Sequence, residues 1–134
     1  MLIPPANLVA QAKAAIRECS VGDVRACLDS DTILIDIREP AEVRRAMIPG
    51  AVALPRGLLE FEIHGLVERL RMDESISSED QPIVLYCGTG GRSALAAQSL
   101  QQLGYRNVRS MAGGIVAWTA AKLPLTTPGS ESGG

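Results

Sequence analysis

The stretch from Pro82 to Ser93 constrains the fold more than any other part of the chain. Pro82-Ile83-Val84-Leu85-Tyr86 is a short apolar run without polar alternation, the pattern of a strand covered on both faces. It leads directly into Cys87-Gly88-Thr89-Gly90-Gly91-Arg92-Ser93, and a helical pattern then extends to about Leu103. A strand buried on both faces needs helices above and below it. The run therefore argues for a layered α/β domain with a mainly parallel sheet.

The rest of the chain agrees with that reading. Thr32-Ile33-Leu34-Ile35-Asp36-Ile37 is a second buried strand, Ala51-Val52-Ala53-Leu54 a short third and Val108 to Met111 a last. Helical segments alternate with these strands. Asn7 is expected to cap a helix through about Arg17, and Ser20-Val21-Gly22-Asp23 reads as a capping box before a helix ending near Leu28. Pro40 sits in the first turn of another helix, whose acids Glu39 and Glu42 favour its positive end. Residues 57–72 carry a mixed helical pattern, followed by a polar loop from Asp73 to Gln81. After Cys87 the helix draws its expected apolar face from Ala94, Leu95, Ala97, Leu100 and Leu103, with Gly104 as its stop. Gly113-Gly114 turns into a final helix over residues 115–122. The expected organisation is an N-terminal helical extension at 1–19, an α/β domain at 20–125 and a flexible Ser/Gly/Pro tail at 126–134.

Composition narrows the function classes. The 134 residues predict one domain, and a hydrophobic content of 46% is too high for a disordered chain. A chain of this length buries roughly two thirds of the surface its unfolded form exposes, enough to fold without staples. No apolar run approaches the ~20 residues of a membrane helix, so no membrane partner is expected. MLIPPANLVA has no basic stretch followed by an apolar core, which argues against a secretory leader and for a reducing, cytoplasmic setting. Three cysteines, at positions 19, 27 and 87, form neither a disulfide framework nor a zinc-ligand spacing, so no metal is expected. A net charge of −2 speaks against nucleic acid. That net charge divides into −5 over residues 1–80 and +4 over residues 81–130, and Cys87 lies in the cationic stretch. Cationic surroundings would attract an anionic substrate and favour a thiolate, unless the basic residues are scattered over a solvated surface.

The cysteine loop carries the chemistry. It lies between the C-terminal end of a strand and the start of a helix, where ligands bind in open α/β sheets. Gly88, Gly90 and Gly91 permit backbone N–H groups to converge as an anion nest, and the helix start adds its dipole. Thr89 and Ser93 offer hydroxyls, and Arg92 a planar fork of donors. A thiol in such surroundings acquires a lowered pKa and becomes a nucleophile.

These segments also carry a family resemblance. Ile33-Leu34-Ile35-Asp36-Ile37-Arg38-Glu39-Pro40 resembles the LIDVREP segment of rhodanese domains. Ile48-Pro49-Gly50-Ala51 is similar to their HIPGA turn, and Tyr86 to Ser93 to their YCxxGxRS active-site loop. Gly104-Tyr105-Arg106-Asn107-Val108 and Gly113-Gly114-Ile115-Val116-Ala117-Trp118 resemble their GFxNV and GGxxAW ends. The resemblance spans about residues 20–125. It implies a rhodanese-like three-layer fold, a central mainly parallel sheet flanked by helices, and sulfurtransferase activity without a cofactor. Cys87 is the implied nucleophile, and Gly88, Thr89, Gly90, Gly91, Arg92 and Ser93 the implied substrate cradle. The implied donor is a small anion such as thiosulfate. The implied acceptor is cyanide or a thiol, including a sulfur-relay protein. Phosphatase relatives carry one more residue between cysteine and arginine, so the four residues between Cys87 and Arg92 favour sulfur transfer. The alternative within the same resemblance is a carrier module, which takes persulfide sulfur from a partner with little thiosulfate turnover.

Other residues have competing readings. Asp36 either steadies N–H groups of the cysteine loop or of neighbouring backbone, or is an ordinary strand-end turn acid. Arg38 and Arg56 either line the mouth or belong to a solvated surface, the favoured reading. Ala46-Met47 stands where the family usually has Gly-His, with loss of a polar donor. His64, the single histidine, falls outside every matched motif and is expected to pack or face solvent rather than act as a base. Trp118 is expected to anchor the core, and Cys19 and Cys27 to be inert packing residues.

Overall fold

Side chains alternate along a strand, and that period of two builds the layers of this molecule. In the computed structural model, which describes residues 1–129, Ile83 and Leu85 enter one apolar cluster and Val84 and Tyr86 the other. Both faces of this central strand are covered, so it is apolar throughout, as the sequence pattern requires.

In chain order the elements are α1 (Pro5–Ala15), β1 (Arg17–Cys19), α2 (Val21–Cys27), β2 (Ile33–Asp36), α3 (Pro40–Arg45), β3 (Val52–Ala53), α4 (Leu59–Leu70), β4 (Ile83–Tyr86), α5 (Gly91–Gln102), β5 (Val108–Met111) and α6 (Gly114–Ala120). Short 3-10 turns occupy Arg56–Leu58 and Ser78–Asp80. The five strands form one sheet in the order β1-β5-β4-β2-β3, with every pairing parallel. Helices α4 and α5 cover one face through Leu59, Ile63, Val67, Ala96, Ala97 and Leu100. Helices α2 and α6 cover the other through Val24, Ile115 and Trp118. Trp118 is fully buried, and its indole N–H donates to the Pro124 carbonyl at 2.7 Å, which makes it a core anchor. Because all strands run the same way, their C-terminal ends meet at one edge, where Cys87 follows β4.

The structure differs from the sequence reading in four places. Helix α1 starts at Pro5 rather than at an Asn7 cap, because a proline in the first turn is already preset for a helix. Residues 17–19 are the edge strand β1 rather than the end of that helix. Three residues are too few to display a period, and only β5 alongside supplies the pairing. Helix α5 buries Ser93, Ala94, Ala96, Ala97 and Leu100, while Leu103 is 40% exposed. Its buried side is small because α1 packs along it. The expected tail begins with a tie, since the Met47 N–H donates to the Thr126 carbonyl at 2.7 Å and the Thr126 N–H to the Met47 carbonyl at 2.9 Å. Residues 130–134 of that tail lie outside the described residues. The Ser20 capping box is present as expected, with the Asp23 N–H donating to Ser20 Oγ at 3.1 Å and the Ser20 N–H to Asp23 at 3.0 Å.

Candidate active site

The loop after β4 is held backbone to backbone against the start of α6. The N–H groups of Ile115 and Val116 donate to the carbonyls of Cys87 and Gly88 at 2.9 and 3.1 Å. That approach is possible only because Gly114 has no side chain: it sits at φ +60°, and a Cβ there would collide with the Gly88 backbone. Gly90 caps α5 in the left-handed region at φ +104°. The two glycine motifs seen in the sequence are therefore the two sides of one contact.

This loop wraps the sulfur of Cys87, which is 1% exposed. The N–H groups of Gly90 and Ser93 donate to Sγ at 3.1 and 3.3 Å, and Ser93 Oγ lies 3.5 Å away. Burial pushes the thiol pKa up. Hydrogen bonds from the Ser93 hydroxyl and from the N–H groups of Ser93, Gly90 and Thr89 outweigh burial and leave it below its ordinary value. Cys19 shows the opposite outcome. It is also buried but lacks such a cradle, and burial pushes its thiol up to about 11. Cys27 spends its thiol on the Val24 carbonyl at 3.3 Å. Cys19 ends β1, two strands from β4, a separation of about 10 Å that puts a disulfide with Cys87 out of reach.

Ser110 belongs to this site, and the sequence reading missed it. It is fully buried on β5, with its hydroxyl 2.7 Å from Ser93 Oγ. Among the described residues that is its one side-chain partner. A buried hydroxyl proton without an acceptor costs about 1–3 kcal/mol, so Ser110 donates to Ser93. The Ser93 proton is then available for Cys87 Sγ or for the Gly90 carbonyl at 3.3 Å. The available signal was a serine in the short expected strand Val108–Met111, but only the tertiary packing shows which side chain it meets.

The other candidates divide. Thr89, Gly90 and Ser93 converge on the sulfur as expected, whereas the Gly88 carbonyl is engaged by Val116 and Gly91 opens α5 beneath Val9. Arg92 is held by Glu42 in a two-pronged pair at 2.8 and 3.0 Å, and this bond pulls the Glu42 carboxyl down to about 2. Glu42 is thus a site neighbour that the sequence showed only as a helix-start acid. Arg106 is likewise paired with Asp80 at 2.8 Å. The cationic stretch is therefore neutralised in part by acids from residues 1–80, and backbone N–H dipoles act on the sulfur together with the Arg92 guanidinium beside it.

Asp36 accepts from the Arg38 N–H and Nε at 3.0 Å and from a second Arg38 nitrogen at 2.8 Å, and not from the cysteine loop. It thus holds a neighbouring backbone N–H at the strand end, as both readings allow, while its bond to the Arg38 guanidinium belongs to neither. Arg38 corrects the surface expectation: it is 6% exposed, and it also donates to the Ala46 carbonyl at 2.6 Å. A buried guanidinium must be paired and hydrogen-bonded, and Asp36 and Ala46 do this. Arg56 pairs with Glu60 at 2.8 Å and donates to Ser99 at 3.2 Å, tying α4 to α5. His64 lies on the surface with Nδ1 2.5 Å from the Tyr105 hydroxyl, away from Cys87. Met47 is 8% exposed, so the place of the family's usual polar residue is filled by packing.

The fold and the cradle together define a parallel α/β domain with a reactive-cysteine loop. The chain belongs to the rhodanese-like domain family, whose model matches residues 20–121. It is 40% identical to an Allochromatium vinosum sulfurtransferase over 98 residues, 73% of this chain and 81% of that one. It is 33% identical to the thiosulfate sulfurtransferase GlpE of Pseudoalteromonas translucida, covering 80% of this chain and 92% of that one. Among solved structures, the Rhodopseudomonas palustris protein RPA3614, described as a possible tyrosine phosphatase, superposes with a TM-score of 0.77 at 32% identity, covering 94% and 96% of the two chains. No helix among the described residues is long and apolar enough to cross a membrane, and no cluster of three or more potential ligands could hold a metal ion.

Proposed function

We propose that this protein transfers sulfane sulfur through a persulfide on Cys87, with thiosulfate or a related anion as donor and a thiol or cyanide as acceptor. The observation that carries this reading is the buried sulfur facing converged N–H groups, with hydrogen bonds that outweigh its burial. The Cys87 thiolate attacks the outer sulfur of thiosulfate. The S–S bond breaks, sulfite leaves with the electron pair, and Cys87 carries an anionic persulfide. An acceptor nucleophile then forms a bond to the terminal sulfur and returns the electron pair of the Cys87–S bond to the thiolate. Each species held in the loop is anionic at sulfur, and fixed N–H donors stabilise all of them without reorganising. Thr89, Gly90 and Ser93 are the cradle, while Gly88, Gly91 and Arg92 shape it. The spacing of Cys87 and Arg92 supports sulfur rather than phosphoryl transfer.

The test is intact mass after exposure to thiosulfate. One added sulfur on the parent and none on Cys87→Ser is expected, together with loss of thiocyanate formation. Transfer by Cys87→Ser at the parental rate would refute the reading. Loading from a protein persulfide but not from thiosulfate would select the carrier module instead.

A further inference from the structure

A groove of about 560 Å³ runs between α3 and α6 and ends at Gly88, the residue next to Cys87. Sites of several hundred Å³ suit organic ligands, and a thiosulfate ion fills only a small part of such a space. Its walls are largely apolar: Ala46, Ile115, Val116, Ala120 and Leu125. Val116 stands 59% exposed on α6. Leu125 forms a wall because the antiparallel bridge between Met47 and Thr126 pins the chain beside it.

The charges on this groove are not equivalent. Arg38 is committed to Asp36, and Glu42 to Arg92. Arg45 is exposed, lines the same groove and has no ion pair among the described residues. Among the described residues the groove thus presents apolar walls and one cation without an ion pair, Arg45.

We propose that this groove seats an organic thiol acceptor with an apolar arm and a carboxylate, the arm lying against Ile115, Val116 and Leu125 and the carboxylate meeting Arg45. This rests on the sulfurtransferase reading and adds the class of acceptor to it. The acceptor thiolate bonds to the terminal sulfur of the Cys87 persulfide, the Cys87–S bond breaks toward Cys87, and an organic persulfide leaves. The exchange conserves charge and needs no oxidant or reductant.

The experiment loads Cys87 from thiosulfate or a persulfide donor, confirms the added sulfur by intact mass, and discharges it with mercaptohexanoate, mercaptohexanol or cyanide. The acid and the alcohol share an arm and differ in the carboxylate, and cyanide has no arm. The expected result is a KM for the acid about threefold below that for the alcohol, the worth of one half-exposed ion pair. Arg45→Ala should abolish that preference. Val116→Glu, at an exposed position, should raise the KM for the acid more than that for cyanide. Equal use of acid and alcohol by the parent, or a preference retained in Arg45→Ala, overturns the proposal. Failure to load Cys87 from either donor instead removes the sulfurtransferase reading beneath it, and this distinguishes the two failures.

Discussion

Replacing Ser93 by alanine separates two effects that the geometry joins in one hydroxyl. The Ser93 N–H still donates to Cys87 Sγ, but the Oγ contact at 3.5 Å is lost. A hydrogen bond to a charged group contributes about 1.5–3 kcal/mol at good geometry. At this distance, shared with the Gly90 carbonyl, about 1 kcal/mol is a fair share, and its loss raises the thiol pKa. The same substitution leaves the buried Ser110 proton without an acceptor, which costs about 1–3 kcal/mol of stability. Adding Ser110→Ala should therefore recover most of the lost stability while the pKa stays raised. Peptide-resolved alkylation rates of Cys87 against pH measure the first quantity, and urea unfolding the second. The linkage has a definite sign. Because the folded-state pKa lies below the ordinary 9.0, the thiolate's contribution is fully present above that value and is lost as pH falls through the folded pKa. Stability should thus rise with pH across this window in the parent, and across a narrower window in Ser93→Ala. An unchanged or lower thiol pKa in Ser93→Ala, or a double variant no more stable than the single, would refute the reasoning.

Three further outcomes follow from the same geometry. Ser110→Ala alone should raise the Cys87 pKa, by less than Ser93→Ala does, because Ser93 loses the donor that polarises it, whereas a fall would mean that Ser110 accepts from Ser93. Gly114→Ala should destabilise the fold by about 2–4 kcal/mol in urea unfolding, since a positive φ and a collision with the Gly88 backbone act together. Glu42→Gln should free Arg92 and lower the KM for thiosulfate by about twofold to fivefold, the range of a half-exposed pair. In the parent, the Arg92–Glu42 pair is fully present above the ordinary carboxyl value of 4.5 and is lost as pH falls through about 2, so an acid limb near neutrality would count against Glu42 being its partner.

The cysteine loop and the groups around its sulfur were legible because local chemistry specifies them. Cys87, Gly90 and Ser93 lie within seven consecutive residues, and a strand entering a glycine turn before a helix admits few arrangements. The Ser20 capping box was legible for the same reason. Ser110, Glu42 and Arg38 were not, because the role of each depends on a partner in space. Ser110 meets Ser93 across α5 and β5, and Glu42 meets Arg92 across fifty residues. Arg38 turns inward because Asp36 and the Ala46 carbonyl satisfy it there.

By itself the sequence determined the class of fold, the identity of the special thiol and the residues wrapped around it, since hydrophobic period and glycine placement act over short distances. Tertiary structure alone decided the electrostatics. The +4 stretch around Cys87 promised a field of guanidinium groups, yet folding returned Glu42 to Arg92 and Asp80 to Arg106. It also left Arg45, among the described residues, without an ion pair beside an apolar groove. Charge counts add along a chain, but fields add in space, and only the packed molecule fixes which charges cancel.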